Sequence, residues 1–111
     1  MEFLSKKAGT VTVVALAGSI DATTAGEVSA GISELVDKGE VTLVMDLSGV
    51  DYTSSAGLRV LLGGAKETRG AGGDLRLASV QAAVLKVLTL SGFTTILKVF
   101  EDTASAVASY A

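Results

Sequence analysis

The sequence alternates between short apolar runs typical of strands and longer apolar stripes with helical spacing, and glycines separate the two kinds of segment. The chain has 13 Gly and no Pro, so its turns depend on glycine. Two runs rich in β-branched residues come first, near Phe3 to Lys7 and from Thr10 to Ala17. Helical and strand-like segments then alternate, which predicts an α/β fold in the order ββαβαβαβα.

The helical segments carry recognisable start and stop signals. The first is predicted to begin at a capping box, Thr24 to Glu27, and the second to run as far as Gly70. Ser79 is predicted to cap the third helix, and Asp102 a short terminal helix. We therefore expect four helices.

The later strands are predicted from 41 to 47, 74 to 78 and 95 to 100. Val41 to Leu47 is almost continuously apolar, as in a strand that is covered on both faces. Strands that alternate with helices form right-handed crossovers. We expect one domain, residues 1–111, with a mostly parallel sheet, an antiparallel edge strand from the first hairpin, and helices packed against the sheet.

Composition excludes several classes of function. Without His or Cys the chain cannot build a Ser-His-Asp triad, a thiol nucleophile or a His-ligated metal site. The net charge of −3, from 9 basic and 12 acidic residues, argues against nucleic acid as a partner. The absence of Cys fits a cytoplasmic protein, and no signal segment or membrane span is apparent. We expect a non-enzyme without a cofactor.

Asp46 to Leu58 is the most informative stretch, because it places Ser54 and Ser55 at the start of the second helix. The free N–H groups of a helix start attract anions. An exposed serine there either caps the helix or accepts a phosphate, and capping is the commoner role. Asp46, at the end of a strand, is expected to be a structural hydrogen-bond acceptor.

Asp21 follows the second strand and is expected to lie near Ser55, at the edge of the sheet where the parallel strands end. Two roles stay open for it. A carboxylate at this position commonly stabilises a turn or caps a helix. Alternatively, Asp21 helps to orient the acceptor hydroxyl or a partner.

The central motif resembles that of STAS domains, and within them of the bacterial anti-sigma factor antagonists. It consists of Asp46-Leu47-Ser48 followed by Ser54-Ser55-Ala56-Gly57-Leu58. The resemblance extends to Gly18-Ser19-Ile20-Asp21-Ala22 and to Leu90-Ser91-Gly92-Phe93, and so spans the whole domain. It implies the STAS fold, whose element order agrees with the one predicted above.

The resemblance also implies a site. It places the phosphorylated serine at Ser55, with Ser54 as the second choice, where the antagonists commonly have Asp. Arg59 stands where a small residue is common. The implied partner-binding residues are Asp21, Thr53, Ser54, Ser55, Ala56, Gly57, Leu58 and Arg59.

The function implied is that of a regulatory switch. The dephosphorylated protein would bind an anti-sigma factor that is a serine/threonine kinase, and would thereby free a sigma factor. Phosphorylation would end this association, and a protein phosphatase would restore it. The alternative is a STAS interaction subunit of a lipid-transport or other multi-protein signalling assembly, and a weaker third is an enzyme or nucleotide binder. The oligomeric state stays open.

Overall fold

The computed structural model describes all 111 residues, and its elements follow one another in the predicted order ββαβαβαβα. The elements are β1 Glu2–Ala8, β2 Val11–Ala17, α1 Ala25–Asp37, β3 Thr42–Gly49, α2 Ser55–Gly70, β4 Asp74–Ala78, α3 Ala82–Leu90, β5 Val99–Phe100 and α4 Thr103–Ala108. Each helix falls short of the combined length and hydrophobicity that crossing a bilayer requires.

The five strands form one sheet in the order β1-β2-β3-β4-β5. The β1–β2 hairpin is antiparallel and the other three pairs are parallel, which confirms the mostly parallel sheet with an antiparallel edge. Since β2, β3 and β4 run in the same direction, the loops that follow them lie together at the carboxyl ends of these strands. The candidate site lies at this end of the sheet.

Helices cover both faces of the sheet. Alternate residues of β3 point to opposite sides. Met45 belongs to a core of 18 buried residues, to which α1, α2 and α3 also contribute. Val44 faces the other side, where Ala106 of α4 completes a smaller cluster of five buried residues. The sheet is therefore the middle layer of three, as the apolar sequence of β3 predicts.

A cluster around Asp74 anchors α4 to the sheet. The carboxylate of Asp74 accepts hydrogen bonds from Arg69 Nε at 2.7 Å and from Arg76 Nε at 3.1 Å. The Arg76 guanidinium also donates to Ser109 and lies 3.8 Å from the centre of the Tyr110 ring. The Tyr110 hydroxyl donates to a backbone carbonyl of β3. We call these residues, Arg69, Asp74, Arg76, Ser109 and Tyr110, the Asp74 cluster.

Two local predictions are wrong. Ser79 does not cap α3: it adopts a positive φ of 56° in the turn after β4, and Gln81 occupies the N-cap position. The strand predicted from 95 to 100 contains only Val99–Phe100, because Phe93–Thr95 forms a single 3₁₀ turn. By contrast, the predicted cap of α4 is present.

Candidate functional site

The chain between β3 and α2 continues the pairing of β2 and β3 beyond the ends of these strands. The N–H of Gly18 donates to the carbonyl of Gly49 at 2.9 Å, and that of Ile20 to Tyr52 at 3.0 Å. The N–H of Ser54 then donates back to Ile20 at 2.9 Å. These bonds hold the loop after β2 against the start of α2, so the two junctions that the sequence singled out lie side by side.

Gly57 permits an unusually close approach between these two segments. A Cβ atom at this position would overlap the hydroxyl oxygen of Thr53 and lie 2.7 Å from the carbonyl oxygen of Ile20. Thr53 and Gly57 are both buried. The first turn of α2 therefore packs directly on backbone, and only glycine fits there.

Ser55 is the first residue of α2, and it is exposed. The first backbone hydrogen bond of the helix runs from Leu58 N–H to the carbonyl of Ser54, at 3.1 Å. The three preceding N–H groups find no acceptor in the protein, and no side chain caps the helix. The Ser55 hydroxyl thus lies beside unpaired donors and the positive end of the helix dipole.

Ser54 occupies the N-cap position, but it does not act as a cap. Its Oγ has essentially no exposed surface and no hydrogen-bond partner. This corrects the expectation that one of the two serines caps α2. The second choice of Ser54 as phosphate acceptor stays a prediction; its hydroxyl is enclosed by protein, whereas Ser55 is exposed.

We predict that Ser54→Ala raises the free energy of unfolding by about 1 kcal/mol, since it removes a buried hydroxyl that makes no hydrogen bond. Serine at a working N-cap would show the opposite sign. Urea denaturation measures the change. Asp102→Ala is the control, because Asp102 accepts from Ser105 N–H at 2.7 Å at the start of α4, and its loss should lower the midpoint. Destabilisation by Ser54→Ala would show that the hydroxyl caps α2 in solution.

Asp21 serves the turn that leads into α1. Its Oδ1 accepts from the hydroxyl of Thr23 at 2.7 Å and from the Thr23 N–H at 2.9 Å. These bonds, together with those from Thr24, hold the pKa of Asp21 below its usual value. Of the two roles left open for Asp21, the observed contacts are those of the turn.

Thr24 does not form the predicted capping box. Its hydroxyl donates to the carbonyl of Ser19 at 2.8 Å and accepts from the Asp21 N–H at 3.0 Å, and so makes no bond to the helix. Asp46 behaves as expected, since its Oδ1 accepts from the Ser48 N–H at 3.0 Å. Both side chains shape loops at the edge of the sheet.

The eight residues expected to contact a partner differ in exposure. Ser55 and Arg59 are exposed, whereas Asp21, Ser54 and Ala56 are partly exposed. The other three, Thr53, Gly57 and Leu58, are buried and support the surface from below, and their contact with a partner stays a prediction.

Sequence reasoning missed Tyr52, whose side chain is 54% exposed in the loop before Ser55. Tyrosine is enriched in protein interfaces, and a large aromatic residue in an otherwise polar loop is the signal that could have identified it. We define the Ser55 surface as Tyr52, Ser55, Ala56 and Arg59. A groove of about 400 Å³ between α1 and α2 continues from Ala56 and Arg59 along α2.

The side chains of this site suit binding and modification. The nearby carboxylates, such as Asp21, stabilise turns, and no group of three His, Cys, Asp or Glu side chains could hold a metal ion. The exposed hydroxyl of Ser55 lies next to unpaired N–H groups, and such groups stabilise an anion that is attached there.

Comparison with known proteins relates this site to a family. The model of the STAS domain family matches residues 3–106. The chain is 36% identical over 110 residues to BtrV of Bordetella bronchiseptica, a candidate anti-sigma factor antagonist. The alignment covers 99% of this chain and 95% of that protein. It is 27% identical over 97 residues to an anti-sigma F factor antagonist of Paenibacillus polymyxa, covering 86% and 83%.

A solved structure shares the fold. The crystal structure of a candidate anti-sigma factor antagonist from Thermotoga maritima superimposes with a TM-score of 0.91, at 23% sequence identity, over 96% of this chain and 92% of that one. The family model and the 36% identical relative confirm the recognition of the STAS family from the central motif.

Proposed function

The chain belongs to the STAS domain family, and from this membership we propose that it is an anti-sigma factor antagonist whose partner binding is controlled by phosphorylation of Ser55. The names of its relatives support the first half of the proposal. The second half rests on one observation: the Ser55 hydroxyl is exposed at a helix start whose N–H groups have no partners.

The unmodified Ser55 surface suits a protein partner. It combines an aromatic ring, a small neutral centre and one cation, and it is supported by the buried residues Thr53 and Gly57. A rigid support keeps the exposed side chains in place before binding, which lowers the entropy cost of association. In the proposed function the anti-sigma factor docks here, and the sigma factor that it held is released.

A phosphate on Ser55 changes this surface without requiring a new fold. It adds a charge of roughly −1.5 to −2 at pH 7, which the start of α2 accommodates because its N–H groups are free. The partner must desolvate and contact this charge. An apolar partner surface cannot compensate for the desolvation of this charge and an acidic one is repelled by it, so that the complex dissociates.

The proposed cycle needs two further proteins. The anti-sigma factor acts as a serine/threonine kinase on Ser55, and a protein phosphatase removes the phosphate. The chain itself catalyses nothing and contributes only the acceptor hydroxyl and the docking surface. All three proteins meet in the cytoplasm.

Labelling with radioactive ATP tests the proposal. We expect the cognate anti-sigma kinase to incorporate phosphate into the wild-type chain and not into Ser55→Ala, because Ser55 carries the accessible hydroxyl of the pair. The matched control is Ser54→Ala, which should be labelled like the wild type. Undiminished labelling of Ser55→Ala would refute the assignment.

Isothermal titration calorimetry measures the consequence for binding. The phosphorylated chain should bind the anti-sigma factor at least tenfold more weakly than the unmodified chain, a loss of about 1.4 kcal/mol or more. Equal affinity of the two forms would refute the switch. Binding of subunits of a transport assembly, without labelling by any kinase, would instead favour the alternative STAS function.

A further inference from the structure

Arg59 is an exposed cation one turn after Ser55 on α2. Side chains at positions i and i+4 of a helix are neighbours on its surface. The four ion pairs of the structure are Lys7–Glu40, Lys38–Glu34, Arg69–Asp74 and Arg76–Asp74, and none of them includes Arg59. Its guanidinium is therefore available to a new anion on the same helix.

The charges around this position leave Arg59 as the natural counter-ion. Arg59 is the only cation in the first two turns of α2; the next, Lys66, follows two turns later. The neighbouring segments carry carboxylates instead: Asp51 in the loop before α2, Asp21 in the loop after β2 and Glu27 in the first turn of α1, while Glu67 of α2 lines the same groove as Arg59. A phosphate on Ser55 would be repelled by these acids and attracted by Arg59.

The start of α2 also contains unpaired hydrogen-bond donors. Its first three N–H groups are unpaired, and the buried hydroxyl of Ser54, the preceding residue, has no partner. An unpartnered buried hydroxyl is costly until an acceptor arrives. An anion held on α2 by Arg59 would lie within the same turn as these donors.

We propose that Arg59 is the internal counter-ion of the phosphate on Ser55, so that phosphorylation closes an ion pair along the first turn of α2. The inference rests on the proposed function, since it concerns the modified form of the same serine. Phosphorylation then changes the Ser55 surface twice: it adds a dianion, and it withdraws a free guanidinium that the unmodified protein offers to an acidic group of the partner. Arg59 acts here as a positioning residue.

A titration followed by ³¹P NMR tests the ion pair. Phosphoserine is installed at position 55 by genetic encoding, so that no kinase is needed. Since a nearby cation favours the dianion, the pKa of the phosphate, ordinarily about 6, should be about 0.5 higher in Arg59→Gln than in the wild type. Arg59→Lys should bring the pKa of the phosphate most of the way back to its wild-type value. Lys66→Gln, which removes an unpaired cation farther along α2, should leave this pKa at the wild-type value.

Thermal unfolding separates this role from a structural one. In the unmodified protein, Arg59→Gln should leave the melting temperature unchanged, because Arg59 has no ion-pair partner there. In the phosphorylated protein it should lower the melting temperature by about 2 °C. Identical phosphate titrations for wild type and Arg59→Gln would overturn the inference. A failure of kinase labelling would overturn the proposed function alone, since the installed phosphate reports on Arg59 in either case.

Discussion

Gly57→Ala is expected to lower the free energy of unfolding by about 3 kcal/mol, because the new methyl group meets atoms that cannot move easily. It would overlap the Thr53 hydroxyl and press on the backbone carbonyl of Ile20 at 2.7 Å. The loop after β2 and the start of α2 must then separate. We expect urea denaturation to show the loss, and amide NMR shifts to place the disturbance around Ser55.

Gly63→Ala is the matched control on the same helix. Nothing lies within 4 Å of a Cβ atom at Gly63, so the substitution adds helix propensity without a clash. It should stabilise the protein by up to about 1 kcal/mol. The same substitution at two positions of one helix is thus expected to change the free energy of unfolding in opposite directions. Small and equal effects would mean that α2 does not pack closely on the Ile20 backbone.

Asp74→Asn is expected to lower the free energy of unfolding by about 3 kcal/mol at neutral pH, because it removes the counter-ion of the nearly buried Arg76 guanidinium. The side chains of Arg76 and Asp74 are 13% and 14% exposed. Glu34→Gln is the control: Glu34 pairs with Lys38 on the surface of α1, where both side chains are more than half exposed, and its loss should cost less than about 0.5 kcal/mol. Equal costs would show that the Asp74 cluster does not anchor α4.

The contribution of Asp74 should also depend on pH in a defined direction. Burial alone would raise the pKa of Asp74, but hydrogen bonds from Arg69 and Arg76 outweigh it and hold this pKa below the ordinary value of 3.8. A lowered pKa in the folded state means that the stabilisation is fully present above pH 3.8 and is lost as the pH falls through the folded pKa. The stability difference between wild type and Asp74→Asn should therefore persist from pH 7 to about 5 and narrow below pH 4.

The fold was predictable from the sequence because its apolar periodicity and its packing agree. The continuous apolar run of β3 and the stripe Val28, Ile32 and Leu35 of α1 are both buried when α1 covers one face of the sheet. The structure has this arrangement. Turns were less predictable. Ser79 looks like a cap by residue type, yet the path from β4 to α3 places it at a positive φ.

The site was predictable only in part. Periodicity placed Ser55 at the start of a helix, but two identical neighbours, Ser54 and Ser55, gave no sign of which one the packing would enclose. The backbone of Ser54 is held by its hydrogen bond to Ile20, a residue far away in the sequence that meets it only when β2 and β3 pair. Asp21 follows the local rule of turn chemistry, which is one of the two roles that the sequence left open.

The Ser55 surface consists of exposed and partly exposed side chains, whereas its support, Thr53 and Gly57, is buried. Replacing Tyr52, Ala56 or Arg59 can therefore alter which protein is recognised while leaving the scaffold intact. In the proposed function, a cell with several homologous antagonists keeps each one specific for its own partner through these few positions. Gene duplication then yields an antagonist with a new partner without a new domain.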